Sequence, residues 1–468
     1  MEAFYLLIEK INDVVWGPPM VILLVCTGIF LTVRLGFIQI RKFGLSTKLI
    51  FAGKGRRSRL GKEGDITPVQ ALLTEVGGCV GTGTIAGVAT AVAIGGPGAM
   101  FWMWVSGIFG MATKFTEVFL GVKFRVKAKD GTAAAGPMYY LKYGMKLPIL
   151  GGAFAGMLLL GNFFTSPLMQ TNSIALVFKT EFGVPRYITA VLIAIISWLV
   201  IVGGIKSIAR FSSKVVPFMV ILYIGASLAV LLRYASVLPH AFDLIFTHAF
   251  SATAAVGGFA GAAVRRTLRF GVARGVMSNE AGIGTAGIIH GAAKTEDPVQ
   301  QGLISFWGVF INTMLICSLS GLAIIVSGQW TNGSTSSALV ASAFNSAFPR
   351  IGGYVVAISL VMFGYTSLIS GAYTGGQSCE YFLGSRAKKI YYWLLCGMMF
   401  IGGVMKVEAV WSVGDIVNAV KIVPNLIGLI GLSGIVARFT KDYFRKGPAP
   451  TDWQIPSHLK GGKDERRI

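Results

Sequence analysis

Two apolar segments of the sequence each contain a short run rich in glycine, hydroxyl and amide residues. The first run is 77–84 (Gly-Gly-Cys-Val-Gly-Thr-Gly-Thr), and the second is 278–285 (Ser-Asn-Glu-Ala-Gly-Ile-Gly-Thr). Each glycine costs a helix about 1 kcal/mol relative to alanine, so a continuous helix through the first run is unfavourable. Where a helix unwinds in a membrane, freed N–H groups can bind a carboxylate, and freed carbonyls can hold an ammonium group or Na⁺. Hydroxyls such as those of Thr84 and Thr285 add the oxygen ligands that hard cations prefer.

The two runs stand in corresponding places of an internal repeat. Gly81 matches Gly282 at an offset of 201 residues (282 minus 81), and the same offset matches Pro97 with Pro298. Two interrupted helices at matching positions of two inverted halves are typical of transporters, which bind their ligand where the halves meet. The alternative is that these glycines let helices pack closely and bind nothing.

The segments around these runs are predicted to cross a membrane. The chain of 468 residues is 54% hydrophobic and 13% charged, about half the charged fraction of a soluble domain. Apolar runs of about 20 residues are long enough to span a bilayer. Eleven are predicted: 19–36, 68–94, 97–121, 149–178, 187–204, 213–232, 272–293, 299–328, 351–384, 390–405 and 411–437. The sequence therefore predicts an all-α polytopic membrane protein.

The spans divide the chain into four predicted sections. Residues 1–67 would form an extra amino-terminal span and a basic cytoplasmic loop, and residues 438–468 would form a basic cytoplasmic tail. Residues 68–232 would form the first five-helix repeat, and residues 233–437 a connecting segment and the second repeat. Because five is an odd number, equivalent spans of the two repeats would face opposite sides of the membrane.

The net charge of +22 is distributed in blocks along the chain. Lys and Arg are concentrated in 35–66, 121–147, 204–214, 385–389 and 436–468, whereas 94–97 and 329–349 contain none. Positive residues accumulate in cytoplasmic loops, so this alternation predicts an amino terminus outside the plasma (inner) membrane and a carboxy terminus in the cytoplasm. A nucleic-acid partner would instead favour a single basic block, so the lipid bilayer is the expected partner. One cluster does not fit this orientation: Arg265, Arg266, Arg269 and Arg274 precede the seventh span on the predicted outer side.

Longer motifs around the two runs resemble a known family. They are 81–89 (Gly-Thr-Gly-Thr-Ile-Ala-Gly-Val-Ala), 95–99 (Gly-Gly-Pro-Gly-Ala) with 101–104, and 274–282 (Arg-Gly-Val-Met-Ser-Asn-Glu-Ala-Gly), together with Gln170, Asn172, 216–219 and 424–426. In order along most of the chain, these motifs resemble the alanine or glycine:cation symporter family. The resemblance implies the ten-helix inverted-repeat fold of neurotransmitter:sodium symporters, preceded by one extra span. It also implies cation-driven uptake of small neutral amino acids, with Na⁺ as the coupling ion, H⁺ as the other possible ion, and no cofactor.

The resemblance also implies where the ligands would bind. The cation site maps to the carbonyls of Gly77 and Val80 and to the hydroxyls of Thr366 and Ser367. The alternative is that these hydroxyls bond only to their own helix. The carboxylate and part of the ammonium shell of the amino acid would lie at Gly81, Thr82, Gly83 and Thr84. Further residues expected around the amino acid are Gln170, Ser278, Asn279 and Gly371.

Four residues depart from the pattern of the family. It usually has Asn at position 84, Asp at position 312, Trp at position 371 and a small residue at position 75, where this chain has Thr84, Asn312, Gly371 and Glu75. Glu75 and Asn312 are therefore the candidates for altered ion coupling, in which Glu75 would stabilise Na⁺ or carry a proton. The alternative for Glu75 is an acid at the end of a span, close to cytoplasmic water. Another acid, Glu117, is expected to bond locally with Lys114, and Glu280 to orient the second break.

The sequence does not indicate an enzyme. Its four histidines show no metal-ligand spacing, and no nucleophile–base pair stands out.

Two transport alternatives remain open at this point. One is a proton-coupled carrier of a larger neutral amino acid such as glutamine, for which Gly371 would leave room. The other is a channel, which needs a continuous pore lined by charges or carbonyls. The sequence does not predict an oligomeric state.

Overall fold

The described part of the protein is built almost entirely from helices. The computed structural model describes residues 11–12, 14–51, 64–128, 130–250, 260–295, 297–405 and 408–447. The helices are α1 (Pro18–Arg34), α2 (Ile38–Arg41), α3 (Phe43–Phe51), α4 (Pro68–Cys79), α5 (Thr82–Gly95), α6 (Ala99–Lys123), α7 (Pro148–Phe182), α8 (Arg186–Ile201), α9 (Gly204–Arg233), α10 (Leu238–Phe250), α11 (Ala260–Asn279), α12 (Thr285–Gly291), α13 (Pro298–Val326), α14 (Ser336–Ala347), α15 (Ile351–Val404) and α16 (Glu408–Lys446). Strands β1 (Val126–Lys127) and β2 (Ala133–Ala134) form a small antiparallel hairpin.

Many of these helices are long and apolar enough to cross a membrane. In the described chain they are α6, α7, α9, α13, α15 and most of α16, and α4 with α5 adds a seventh if the bent pair is one span. Two shorter apolar helices are α1 and α8. Exposed side chains on α8, such as Leu192, Ile195 and Leu199, are apolar, as contact with lipid tails requires. The prediction of an all-α polytopic membrane protein is confirmed, and the total of eleven spans stays a prediction.

The first glycine-rich run interrupts a helix, as the sequence predicts. Helix α4 begins after Thr67, whose hydroxyl accepts from the Gln70 N–H while the Gln70 side chain accepts from the Thr67 N–H. This reciprocal capping box fixes where the helix starts. Helix α4 ends at Cys79, α5 begins at Thr82, and the two are bent by 50° relative to each other.

The second glycine-rich run interrupts a helix at the corresponding place. Helix α11 ends at Asn279, and α12 begins at Thr285. Between them Glu280, Gly282 and Gly284 have left-handed φ angles of 55°, 89° and 102°. Glycine adopts this conformation freely, whereas glutamate is strained in it. The two breaks fall within a few residues of each other when the repeats are aligned.

Several helices extend more than one turn beyond the predicted spans. The helix that contains the start of the predicted seventh span begins at Ala260 rather than 272, because a polar stretch continues the helix beyond its apolar part. The predicted ninth and tenth spans form one helical run with a kink at Gly384, where φ is 78°. Helix α16 continues to Lys446, so the first part of the predicted tail is helical. Apolarity marks the membrane-crossing part of a helix, not its ends. The rest of the tail (448–468), and 52–63 in the basic loop, lie outside the described residues.

All four arginines that did not fit the charge pattern lie on α11. The first two are exposed. Arg269 Nε donates to the Trp16 carbonyl at 3.1 Å, and Arg274 forms an ion pair of 3.4 Å with Asp415 on α16. Half of the cluster is therefore bonded within the protein, which removes part of its conflict with the predicted orientation.

Packing places both breaks in the middle of the helix assembly. Helix α11 packs against α5 and α6, and α7 runs along α15. Helix α4 lies beside α9 and α15. The two interrupted helices are thus enclosed by long continuous ones, which can hold them in position.

Candidate functional site

A cavity of about 500 Å³ lies between the two broken helices. Gly81, Gly83 and Thr84 line it from the first break, and Glu280 and Thr285 line it from the second. The remaining walls come mostly from α7, α15 and α16, with Asn12 and with Ser336 at the start of α14. Unpaired backbone groups are tolerated in a membrane protein only where they meet protein or a cavity, and this cavity meets that condition.

The first break frees two backbone carbonyls. The Gly81 N–H donates to the Cys79 carbonyl at 3.0 Å, so it does not make the helical bond to Gly77 four residues earlier. The Thr84 N–H likewise donates to the Gly81 carbonyl at 3.0 Å and does not bond to Val80. The carbonyls of Gly77 and Val80 are therefore without their usual helical donors. Carbonyl oxygens of this kind are ligands for hard cations.

Two hydroxyl residues of α15 lie against the same break. A Cβ added at Gly77 would lie 3.7 Å from Thr366 Oγ1, and one added at Gly81 would lie 2.9 Å from Ser367 Oγ. The Thr366 hydroxyl is fully buried and donates within its own helix to the carbonyls of Met362 and Phe363. A hydroxyl that donates a hydrogen bond keeps oxygen lone pairs for a cation. The structure thus brings together all four residues predicted for the cation site.

The first turn of α5 faces the cavity through Gly83 and Thr84. A Cβ added at Gly83 would meet no atom within 4 Å, so the space beside it is open. The Thr82 side chain does not line the cavity, and its hydroxyl donates to Gln170 Oε1 at 2.8 Å. Gln170 itself lines the cavity, and its Nε2 donates to Ser367 Oγ at 3.4 Å. The first N–H groups of a helix lack helical partners, so this start can bind a carboxylate.

The predicted site residues of the second break lie one layer behind the cavity. The Ser278 hydroxyl lies 3.2 Å from Thr84 Oγ1 and also bonds to Asn312. The Asn312 amide donates back to the Ser278 carbonyl at 2.8 Å. Asn279 donates to Thr313 at 3.0 Å and is fully buried. Ser278, Asn279 and Asn312 therefore position Thr84 and the break, rather than forming the cavity wall.

Glu75 forms an ion pair inside the protein. Its Oε1 accepts from Lys114 Nζ at 2.8 Å, and the two side chains are 2% and 0% exposed. The interpretation of Glu75 as an acid in contact with cytoplasmic water is therefore wrong. The expected bond between Glu117 and Lys114 is also replaced, because Glu117 accepts from the N–H groups of Gly282 and Gly287 at 3.2 Å. Glu117 thus holds the unwound segment between α11 and α12.

Sequence reasoning missed most of the wall opposite the first break. It contains Asn162 and Ser166 on α7, Thr374 on α15, and Asp415, Asn418 and Lys421 on α16. Lys421 could have been found from the sequence, because a lysine inside a predicted span is rare and is a functional candidate in its own right. Asp415 lies inside the same predicted span and could have been found for the same reason. The others are uncharged polar residues whose position only the fold reveals.

These features define a class of protein, and comparisons define its family. Long membrane helices around two interrupted helices and a polar cavity form the architecture of a secondary active transporter. The profile of the Sodium:alanine symporter family matches residues 1–454, so the chain belongs to the Sodium:alanine symporter family. It is accordingly a secondary transporter for sodium-coupled amino-acid symport and not an enzyme.

Individual relatives agree with this family. The chain is 41% identical to the sodium/alanine symporter AgcS of Methanococcus maripaludis over 450 residues, covering 94% of this chain and 97% of AgcS. It is 34% identical to the probable sodium/glutamine symporter GlnT of Bacillus subtilis, covering 94% and 91% of the two chains. The crystal structure of MhsT with L-phenylalanine matches with a TM-score of 0.55 at 13% identity, covering 86% of this chain and 94% of MhsT. The chain therefore shares the fold of MhsT.

Proposed function

We propose that the protein imports small neutral amino acids of the alanine and glycine class together with Na⁺, by alternating access. The observation that carries the proposal is the pair of aligned breaks: the first break frees the carbonyls of Gly77 and Val80, and residues of both breaks line one cavity. The name of the family and of AgcS supplies the alanine-type substrate and the ion. Uptake of labelled alanine into vesicles that contain the purified protein tests this, because it should need an inward Na⁺ gradient.

Each ligand has proposed contacts at the first break. Na⁺ would bind the carbonyls of Gly77 and Val80 and the hydroxyls of Thr366 and Ser367. The carboxylate of the amino acid would bind at the start of α5, at Gly81, Thr82, Gly83 and Thr84. Gln170 and Ser278 would hold that start in place through Thr82 and Thr84, and Asn279 would hold the second break. Because the cation and the carboxylate lie at the same break, each reduces the charge that the other would face alone, which couples their binding.

The orientation of the chain is also a proposal: the amino terminus outside the plasma membrane and the carboxy terminus in the cytoplasm. Charge alternation supports it, and the cavity lining includes Ser336, in the section without Lys or Arg. In a cysteine-free background, Thr335→Cys should react with a membrane-impermeant maleimide on intact cells, and Lys389→Cys only after permeabilisation. Both positions are exposed in the structure. The opposite labelling pattern would reverse the orientation.

A larger neutral substrate is a second candidate, supported by the absence of a side chain at Gly371 in the cavity wall. A Cβ added there would meet Ser166 Oγ at 3.1 Å and Asn162 Oδ1 at 4.0 Å, and Gly371 faces the cavity. A tryptophan side chain would occupy roughly 150–250 Å² of contact surface at this position. The name of the relative GlnT agrees with a substrate of the size of glutamine. Proton coupling of such a carrier would use the Glu75 carboxyl, because the amide of Asn312 does not titrate and could act only by leaving out the charge of the family's usual aspartate.

Gly371→Trp should narrow the range of substrates. Competition of labelled alanine uptake by glutamine and leucine should weaken about tenfold, because about two methylene-sized groups lose their place, while glycine should compete as before. Gly371→Ala is the matched control and should change little. If the natural protein already excludes glutamine and leucine, the enlarged pocket does not exist.

A further inference from the structure

Lys421 is a buried ammonium group that faces the cavity without a partner. It lies on α16, is 4% exposed and lines the cavity. Among the residues that the structure describes, it makes no hydrogen bond and no ion pair. Desolvating an ammonium group without a partner is costly in free energy. Such a group inside a membrane protein is therefore a candidate for binding a ligand that supplies the missing acceptor.

The carboxylates closest to Lys421 are engaged elsewhere. Lys421 interacts electrostatically with Glu280 and Glu117, without direct contact to either. Glu280 accepts from the Thr285 hydroxyl, and Glu117 accepts from backbone N–H groups of the second break. One turn further along α16, the Asn425 amide donates to the Gly282 carbonyl at 2.8 Å. This bond fixes the helix, so that Lys421 is held beside the second break.

The part of the cavity near α16 is polar rather than apolar. Asn162 Nδ2 donates to Thr374 Oγ1 at 2.7 Å, and both residues line the cavity with Ser166 and Asn418. Gly371 contributes no side chain here, and the polar side chains of Ser166 and Asn162 lie against it instead. An apolar side chain would cover these polar groups without bonding to them, and buried polar groups without partners are unfavourable.

We propose that Lys421 donates a hydrogen bond to an oxygen atom on the side chain of the substrate. The carrier therefore selects amino acids with a carboxamide or carboxylate side chain over apolar ones of equal length. The inference rests on the proposed function and adds to it the residue that recognises the side chain. The Lys421 ammonium supplies the donor, and the cavity of about 500 Å³ supplies room for the side chain.

Competition of labelled alanine uptake in vesicles tests the proposal. For the natural protein, glutamine or glutamate should compete about tenfold more strongly than methionine, which has a similar length, because a bond to a charged group is worth about that factor. Lys421→Met should abolish this preference and leave competition by glycine unchanged. Lys421→Gln keeps a hydrogen-bond donor but removes the positive charge. In this variant, competition by glutamate should therefore weaken more than competition by glutamine. Lys389→Met, at an exposed position, is the matched control.

The outcomes separate this proposal from the proposed function. If alanine uptake works but methionine competes as well as glutamine and glutamate, or if Lys421→Met keeps the preference, then Lys421 does not recognise side chains. If Lys421→Met does not transport, calorimetry of the purified variant gives the ratio of its affinities for glutamine and methionine. A retained preference for glutamine in that measurement overturns the proposal. Failure of the natural protein to take up alanine would contradict the proposed function instead.

Discussion

Lys114→Met should destabilise the protein by about 3–5 kcal/mol, the usual result of removing one partner of a buried ion pair. The variant leaves the Glu75 carboxylate inside the protein without its counter-charge, since the pair is 2.8 Å long and almost fully buried. Gly308 leaves room for the second Glu75 oxygen but provides no charge. The expected measurement is a marked loss of thermal stability of the detergent-purified protein, followed by fluorescence size-exclusion chromatography.

The double variant Glu75→Gln/Lys114→Met should recover most of that stability, because both charges are removed together. It also separates the structural role of Glu75 from ion coupling. If Glu75 stabilises Na⁺ or carries a proton, the folded double variant should show a changed Na⁺ or pH dependence of uptake. If both dependences are unchanged, Glu75 serves only to neutralise Lys114. A double variant as unstable as Lys114→Met would contradict the ion-pair account.

Removing the two hydroxyls at the first break should have the other large effect. Thr366→Val with Ser367→Ala should raise the Na⁺ concentration needed for half-maximal uptake by about 10- to 150-fold, because a polar contact to a charged group is worth about 1.5–3 kcal/mol. The reason is the position of both hydroxyls beside the freed carbonyls of Gly77 and Val80.

The matched control for this variant is Ser359→Ala, which removes another fully buried hydroxyl of α15 away from the cavity. It should leave the Na⁺ dependence within about twofold, since distant sites contribute independently. An equal shift in both variants would mean that the hydroxyls act on helix packing rather than on the cation.

The sequence was most informative where local chemistry decides local structure. Four glycines within seven residues cannot favour a helix, and the break at 80–81 follows from that alone. The break at 280–284 contains only two glycines, and the offset of 201 residues between the repeats was needed to predict it. The four residues predicted for the cation site could be grouped from the sequence because the resemblance implied a fold in which α15 lies against the first break. The structure places Thr366 and Ser367 of α15 against that break. Composition was sufficient for the membrane architecture.

What the sequence did not predict depends on contacts between distant segments. Glu75 and Lys114 are separated by 39 residues and lie on different helices, so no spacing rule links them. Ser278 and Asn279 were expected at the substrate, but the turn at Glu280 directs them toward Asn312 and Thr313. Helix ends were poorly predicted because helices extend beyond the apolar part that marks a span.

Alanine uptake driven by an imposed Na⁺ gradient tests the central claim most directly. Vesicles that contain the purified protein should accumulate labelled alanine above its external concentration when Na⁺ is high outside. Accumulation should saturate with alanine, and it should vanish when an ionophore dissipates the Na⁺ gradient or when K⁺ replaces Na⁺. Accumulation that follows only an imposed proton gradient would contradict Na⁺ coupling, and non-saturating flux at diffusional rates would contradict the transporter itself.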